Sequence, residues 1–314
     1  MALAFLASIS VGPLALGPGE VLRVLAGGTA APTEAAVIWR VRLPRALVAA
    51  LVGASLASAG GAFQGLLRNP LADPYLLGVS GGAALGAVAA LTLGLSGPLA
   101  LPAAAFAGAL GALAVVYAVA RAHRASPHTL ILSGVMVGSF AAALLLFLLW
   151  LAPSRAAQAA IFWLAGDLSG AEPGHLPGAS AWGAAAFGLL WLQAPALDLF
   201  TQGEETAADL GLEVGRARLL LFAAAGGLTA CAVALGGLVG FVGLVVPHAV
   251  RMLWGPAHRR LLPASAVLGA AFLLAADALA RAVLAPAEVP VGVITALVGA
   301  PFFLYLLRRN EAGA

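Results

Sequence analysis

The chain has 314 residues, of which 62% are hydrophobic and 9% charged, with a mean hydropathy of +1.02. A soluble domain carries about 25% charged residues, so the composition excludes a sizeable soluble domain and predicts an all-α, polytopic membrane protein. The net charge of +3 comes from sixteen arginines and no lysine, a balance that reports membrane topology and not nucleic-acid binding.

A crossing helix needs about 20 apolar residues. Residues 1–16 are apolar but short, lack the positive start of a secretory signal and are interrupted by Pro13. They read as a first span, with a cleaved signal as the alternative. Residues 17–45 are the first long polar stretch and hold Arg23, Arg40, Arg42 and Arg45. Spans are then expected over 46–67, 75–95, 98–120 and 129–152. A second non-membrane stretch follows at 153–178, with Trp163 as an interface anchor. Further spans fall at 180–197, 217–235, 238–254, 263–285 and 290–307, the pair 217–254 being interrupted at Gly236-Gly237. That makes ten. Within them Gly53, Ala57 and Gly61, and again Gly78, Gly82 and Gly86, recur every four residues. Such rows let helix backbones approach closely, around a pathway or at a dimer seam.

The stretch Asp198–Arg218 stands apart, with seven of the chain's 29 charges in 21 positions. Thr201 as N-cap and Glu204 three residues on predict a capping box. Gly211 suits the left-handed position after a helix end, with Leu212 packing back. Ala207, Ala208 and Leu210 would form a small apolar face. A capped, acidic helix between two spans belongs on the membrane surface, as a solvated loop or as a docking helix for a soluble partner.

Orientation follows from the arginines. Ten spans put both termini on one side, together with Arg68, Arg121, Arg124, Arg216, Arg218, Arg251, Arg259, Arg260, Arg308 and Arg309. The other side holds Arg23, Arg40, Arg42, Arg45, Arg155 and Arg281. The excess places the termini and the 198–218 segment in the cytoplasm. Arg40, Arg42 and Arg45 cluster on the disfavoured side, where they either snorkel to headgroups or form a basic patch for an acidic external partner. Asp277 and Arg281, four apart on one helical face, form an expected intramembrane ion pair. His248, after Pro247, reads as a packed or capping residue. The single Cys231 excludes an internal disulfide, and no histidine pair has metal-ligand spacing.

Several longer runs share one resemblance. RLPRALVAALVGASLASAGGAFQGLLRNPLADPYLLGVSGGAALG, GEETAADLGLEVG, GLVGFVGLVVPHAVRMLWGPAHRRLLP and ADALARAVLAPAEVPVGVITALVGAPFFLYLLRR resemble the permease family of ABC importers for iron-siderophores, haem and vitamin B12. The resemblance runs from about residue 36 to 309. It implies one transmembrane permease domain over 1–314, in the inner membrane, working as a homodimer. Two ATPase subunits would bind below and one periplasmic or extracytoplasmic substrate-binding protein above. It implies that the helix at about 202–210 is a coupling helix, carried by Gly203, Glu204, Ala207, Leu210 and Gly211. Arg42 and Arg45, with Arg281, would receive acidic residues of the binding protein. Asn69 and Leu71, with Ser126, Pro127 and His128, would belong to a cytoplasmic gate, although the RASPHT loop departs from the family's polar pattern.

The chain itself is not expected to be an enzyme or to hold a cofactor or metal. It has no phosphate loop ending in lysine, so ATP and Mg would sit on the partner ATPase. An ion-gradient-driven secondary transporter is the alternative; it needs several intramembrane carboxylates, and only Asp277 qualifies. An intramembrane enzyme would need a nucleophile–base pair, which Ser133, Ser139 and His248 do not supply by spacing.

Overall fold

Helices dominate the computed structural model, which describes residues 1–12, 14, 16–29, 31–122 and 126–311, with side chains as far as residue 304. Pro13 and Arg124 lie outside the described residues, as do the side chains of Arg308 and Arg309. In chain order the helices are α1 (Ala2–Ser10), α2 (Pro18–Leu25), α3 (Pro32–Val37), α4 (Leu43–Leu66), α5 (Val79–Thr92), α6 (Ala100–Arg121), α7 (Pro127–Leu151), α8 (Ser154–Leu164), α9 (Leu176–Leu192), α10 (Ala194–Gln202), α11 (Glu204–Asp209), α12 (Val214–Gly236), α13 (Val242–Trp254), α14 (His258–Ala282) and α15 (Val291–Glu311). No strand occurs among the described residues.

Among the described residues, five helical runs are long and apolar enough to cross a membrane: 32–66, α6, α7, α12 and α14. The pair formed by residues 173–192 and α10 adds a sixth run, bent by 51°. The bend falls where Pro195 removes a backbone donor from the first turn of α10. Helices α5 and α13 and the 291–304 part of α15 are apolar but shorter, and α1 has nine residues. Each of the ten expected segments contains a helix, but about half of these helices are shorter than a full span.

The first long span begins well before residue 46. A π-helical turn over Ile38–Arg42 joins α3 to α4 without a break. Pro44 explains the widened turn. It has no N–H, and its ring would crowd a regular turn before it. Arg42 and Arg45 are buried in the protein, while Arg40 stays exposed.

Helix α4 is the central wall, packed by α12, α13 and α14. At Gly60 its backbone touches α13 so closely that a Cβ would overlap the Gly243 carbonyl. The row Gly53, Ala57 and Gly61 faces α14, with Pro247 of α13 also beside Gly61, and Gly82 and Gly86 face α6. Gly78 departs from the expected row: at φ 76° it caps the preceding 3₁₀ turn, and α5 starts after it. Helix α12 ends at Gly236, the interruption expected there, and α13 begins after Phe241, which holds a left-handed φ of 69°. The phenol of Tyr75 donates to the Val239 carbonyl at 3.0 Å and accepts from Val239 N–H at 3.1 Å, pinning this break. Trp163 is not an interface anchor. It is 8% exposed, because α8 folds back onto the bundle and buries it.

Candidate functional site

Two charged assemblies lie near opposite ends of α4. Its 24 residues span about 36 Å. Near its C-terminal end sits the acidic segment. Thr201 does not cap α11, because α10 runs on to Gln202 and the Thr201 hydroxyl donates back to the Asp198 carbonyl at 2.7 Å. The chain turns instead at Gly203, with φ 120° and ψ 150°, a conformation open to glycine. The expected capping box is therefore absent. Glu204 instead pairs with Arg218 of α12, whose guanidinium lies 5.9 Å from the centre of the Phe200 ring.

The other end of α11 closes as the sequence predicts. Gly211 has φ 88°; its N–H bonds Ala208 O at 2.9 Å, and Leu212 N–H bonds Ala207 O at 3.0 Å. This is a Schellman closure, which satisfies the last carbonyls of the helix. The small apolar face divides. Ala207 is buried and anchors α11 to the bundle, while Ala208 and Leu210 remain exposed. A cavity of about 520 Å³ opens between α11, α6 and α12, lined by Arg121, Glu204 and Arg218. Another, of about 480 Å³, opens towards α4, α10 and α13.

That second cavity is walled by cross-links between helices. Gln64 of α4 accepts from Arg251 of α13 at 2.9 Å. Asp198 of α10 accepts from the His258 N–H at 3.0 Å and meets its Nδ1 at 2.6 Å, which ties α10 to the start of α14. Asn69 folds the connection after α4, its side chain accepting from Leu71 N–H at 2.9 Å, while Leu71 points outward. Asp73 ends that connection by accepting from Tyr75 N–H at 2.8 Å. Burial pushes its carboxyl up to about 6, against the lowering effect of that bond. Ser126 caps α7 through Thr129 N–H at 3.3 Å, Pro127 takes a first-turn position and His128 is exposed. These three residues start a helix, and the described contacts give them no further partner loop.

Near the N-terminal end of α4, Arg42, Arg45 and Arg281 are 5%, 8% and 4% exposed. Of the three arginines expected to snorkel to headgroups or to form a basic patch, Arg42 and Arg45 are buried and only Arg40 is exposed. Arg42 Nη1 donates to the carbonyls of Ile9 at 2.8 Å and Ser10 at 3.0 Å, and Nη2 to that of Leu14. Arg281 donates to the carbonyls of Ser8, at 2.7 Å, and Val11. The two guanidiniums thus satisfy carbonyls at the C-terminal end of α1, a favourable site for positive charge. The Asp277–Arg281 pair forms at 3.0 Å. Asp277, with no exposure, also accepts from Arg45 Nε at 2.9 Å, and Arg45 Nη1 reaches Glu288 at 2.6 Å.

Several of these residues escaped the sequence reading. Glu288 is the one carboxylate in the connection between α14 and α15, seven residues beyond Arg281 and past the end of α14, so no helical spacing linked the two. Gln64, Arg251, Asp198 and His258 meet only in three dimensions. The last two are 60 positions apart, with no periodicity to link them.

The comparisons agree with this architecture. A family described as the FecCD transport family matches residues 1–309. The chain is 47% identical over 283 residues to the cobalamin import system permease protein BtuC of Halobacterium salinarum, covering 90% of this chain and 76% of that one. It is 38% identical over 302 residues to the Fe(3+)-citrate import system permease protein of Bacillus subtilis, covering 96% and 90%. A solved structure described as an inward-facing metal-chelate type ABC transporter superposes with a TM-score of 0.88 at 32% identity, covering 98% of this chain and 96% of that one. With a family match over almost its whole length and relatives well above 30% identity, the chain belongs to the FecCD transport family and is an ABC importer permease.

Proposed function

We propose that this permease forms, as a homodimer, the membrane pathway of an ATP-driven importer for a metal chelate, with α11 as the element that receives force from the ATPase. The observation that carries the reading is the geometry of α11. It is a short helix fixed at both ends by Gly203 and Gly211, anchored inward by Ala207 and by the Glu204–Arg218 pair, and presenting Leu210 at 63% exposure. Such an element transmits movement to α10 and α12 as a unit, because its C-terminal end is closed by hydrogen bonds and its first turn is held by an ion pair. Two ATPase subunits would seat the paired α11 helices. A binding protein would deliver cargo at the far end, near Arg40, Arg42, Arg45 and Arg281. Asn69, Leu71 and Ser126–His128 would stand at the exit. This arrangement has α11 and both termini in the cytoplasm.

The cargo class follows from the relatives, one named for cobalamin and one for Fe(3+)-citrate. Both are metal chelates, and the pathway of this chain would select weakly, leaving discrimination to the binding protein. The ion-gradient alternative gains nothing from the structure, since two arginines neutralise its sole candidate carboxylate, Asp277. Reconstitution with the transporter's ATPase and binding protein in proteoliposomes tests the proposal, with labelled cobalamin and labelled ferric citrate as probes. Uptake of one of them should require ATP and survive a protonophore. Uptake that is lost with the protonophore and indifferent to ATP would overturn the reading.

A further inference from the structure

The arginine cluster contains three guanidiniums and two carboxylates, so it carries one uncompensated positive charge. The two carboxylates are placed very differently. Asp277 is fully buried and is shared by Arg45 and Arg281. Nothing can reach it without opening the bundle. Glu288 lies in the connection between α14 and α15, whose residues 282–288 are all exposed, and its side chain is 37% exposed. Its one recorded polar contact is with Arg45. Arg42 meets backbone carbonyls and no carboxylate among its recorded partners.

We propose that Glu288 is an internal stand-in for a partner's carboxylate: it occupies the outward edge of Arg45, and the acidic surface of an arriving protein displaces it. The inference rests on the docking reading of this end of the molecule. Charge complementarity identifies the partner chemistry, since the cluster is one negative charge short even with Glu288 in place. The geometry identifies the exchange. Glu288 can swing away with its exposed loop, whereas Asp277 keeps Arg45 and Arg281 fixed at their inner edges. The exchange trades one charge-assisted hydrogen bond for another on the same guanidinium. Glu288 therefore weakens docking by the inverse of the fraction of time it leaves Arg45 free. A partly exposed ion pair of about 1 kcal/mol corresponds to about a fivefold weakening. The device lets the face engage a strongly acidic surface while leaving Arg45 neutralised between encounters.

The test measures the dissociation constant of the transporter's own binding protein for the complete transporter in nanodiscs at low salt. Glu288→Gln should tighten binding about fivefold, and Arg45→Glu, compared only as folded protein with its melting temperature and elution profile checked, should weaken it more than tenfold. Because Asp277 stays bonded to both Arg45 and Arg281, and Glu288 is partly exposed, the Gln variant is expected to keep the fold, which its melting temperature reports. Unchanged or weaker binding by Glu288→Gln, with Arg45→Glu defective, overturns the stand-in while docking survives. If Arg45→Glu binds normally, both the stand-in and the docking reading fall.

Discussion

Asp277 is the most constrained charge in the protein, because one buried carboxylate serves arginines from two helices, Arg45 of α4 and Arg281 of α14. Removing one member of such a cluster leaves buried charge without compensation, a loss of about 3–5 kcal/mol. The pair Asp277–Arg281 was legible because both residues lie on one helix at i, i+4 spacing. Arg45 was not, since it is 232 positions away and reaches Asp277 only where α4 packs against α14. Double-mutant cycles in mixed micelles separate the two contacts. Asp277→Asn should show coupling of about 1 kcal/mol or more with Arg45→Gln, and separately with Arg281→Gln. Simple additivity in the Arg45 cycle would show that the carboxylate is not shared.

At the scale of elements, α4 is the wall against which α12, α13 and α14 are assembled, and small residues set those distances. Gly60→Ala would drive a methyl group into the Gly243 carbonyl of α13, an overpacking that costs about 1–3 kcal/mol. A matched Gly19→Ala change in α2, where the added methyl meets nothing within 4 Å, should be close to neutral. Denaturation midpoints that fall equally for both would refute the close contact. The same rows explain what the sequence could tell about the fold. Four-residue glycine spacing announced close helix contacts but not which helices meet. Gly211 followed by Leu212 announced the end of α11, because left-handed closure is a local property of that dipeptide. The start of α11 was misread at Thr201, since a cap depends on where the preceding helix stops, and α10 runs on to Gln202.

The whole molecule presents broad apolar surfaces, with Leu132, Met136, Phe140, Phe147 and Trp150 of α7 all largely exposed. They suit lipid or a second copy, as a membrane permease requires. Composition alone disclosed that environment, and hydropathy placed the ten helical segments. Their unequal lengths were hidden, because a bent or interrupted helix has the same hydropathy as a straight one. The proposed function of the whole molecule turns on α11 as the place where an ATPase grips the permease. Co-purification of the solubilised chain with its ATPase tests it most directly, comparing the native protein with Leu210→Arg. Leu210 is the choice because it is exposed, whereas a charge at the buried Ala207 would damage the anchor of α11 itself. The native chain should retain the ATPase, and Leu210→Arg should lose most of it at an unchanged melting temperature. A folded Leu210→Arg variant that retains the ATPase in full, or a native chain that purifies without it, would contradict the claim.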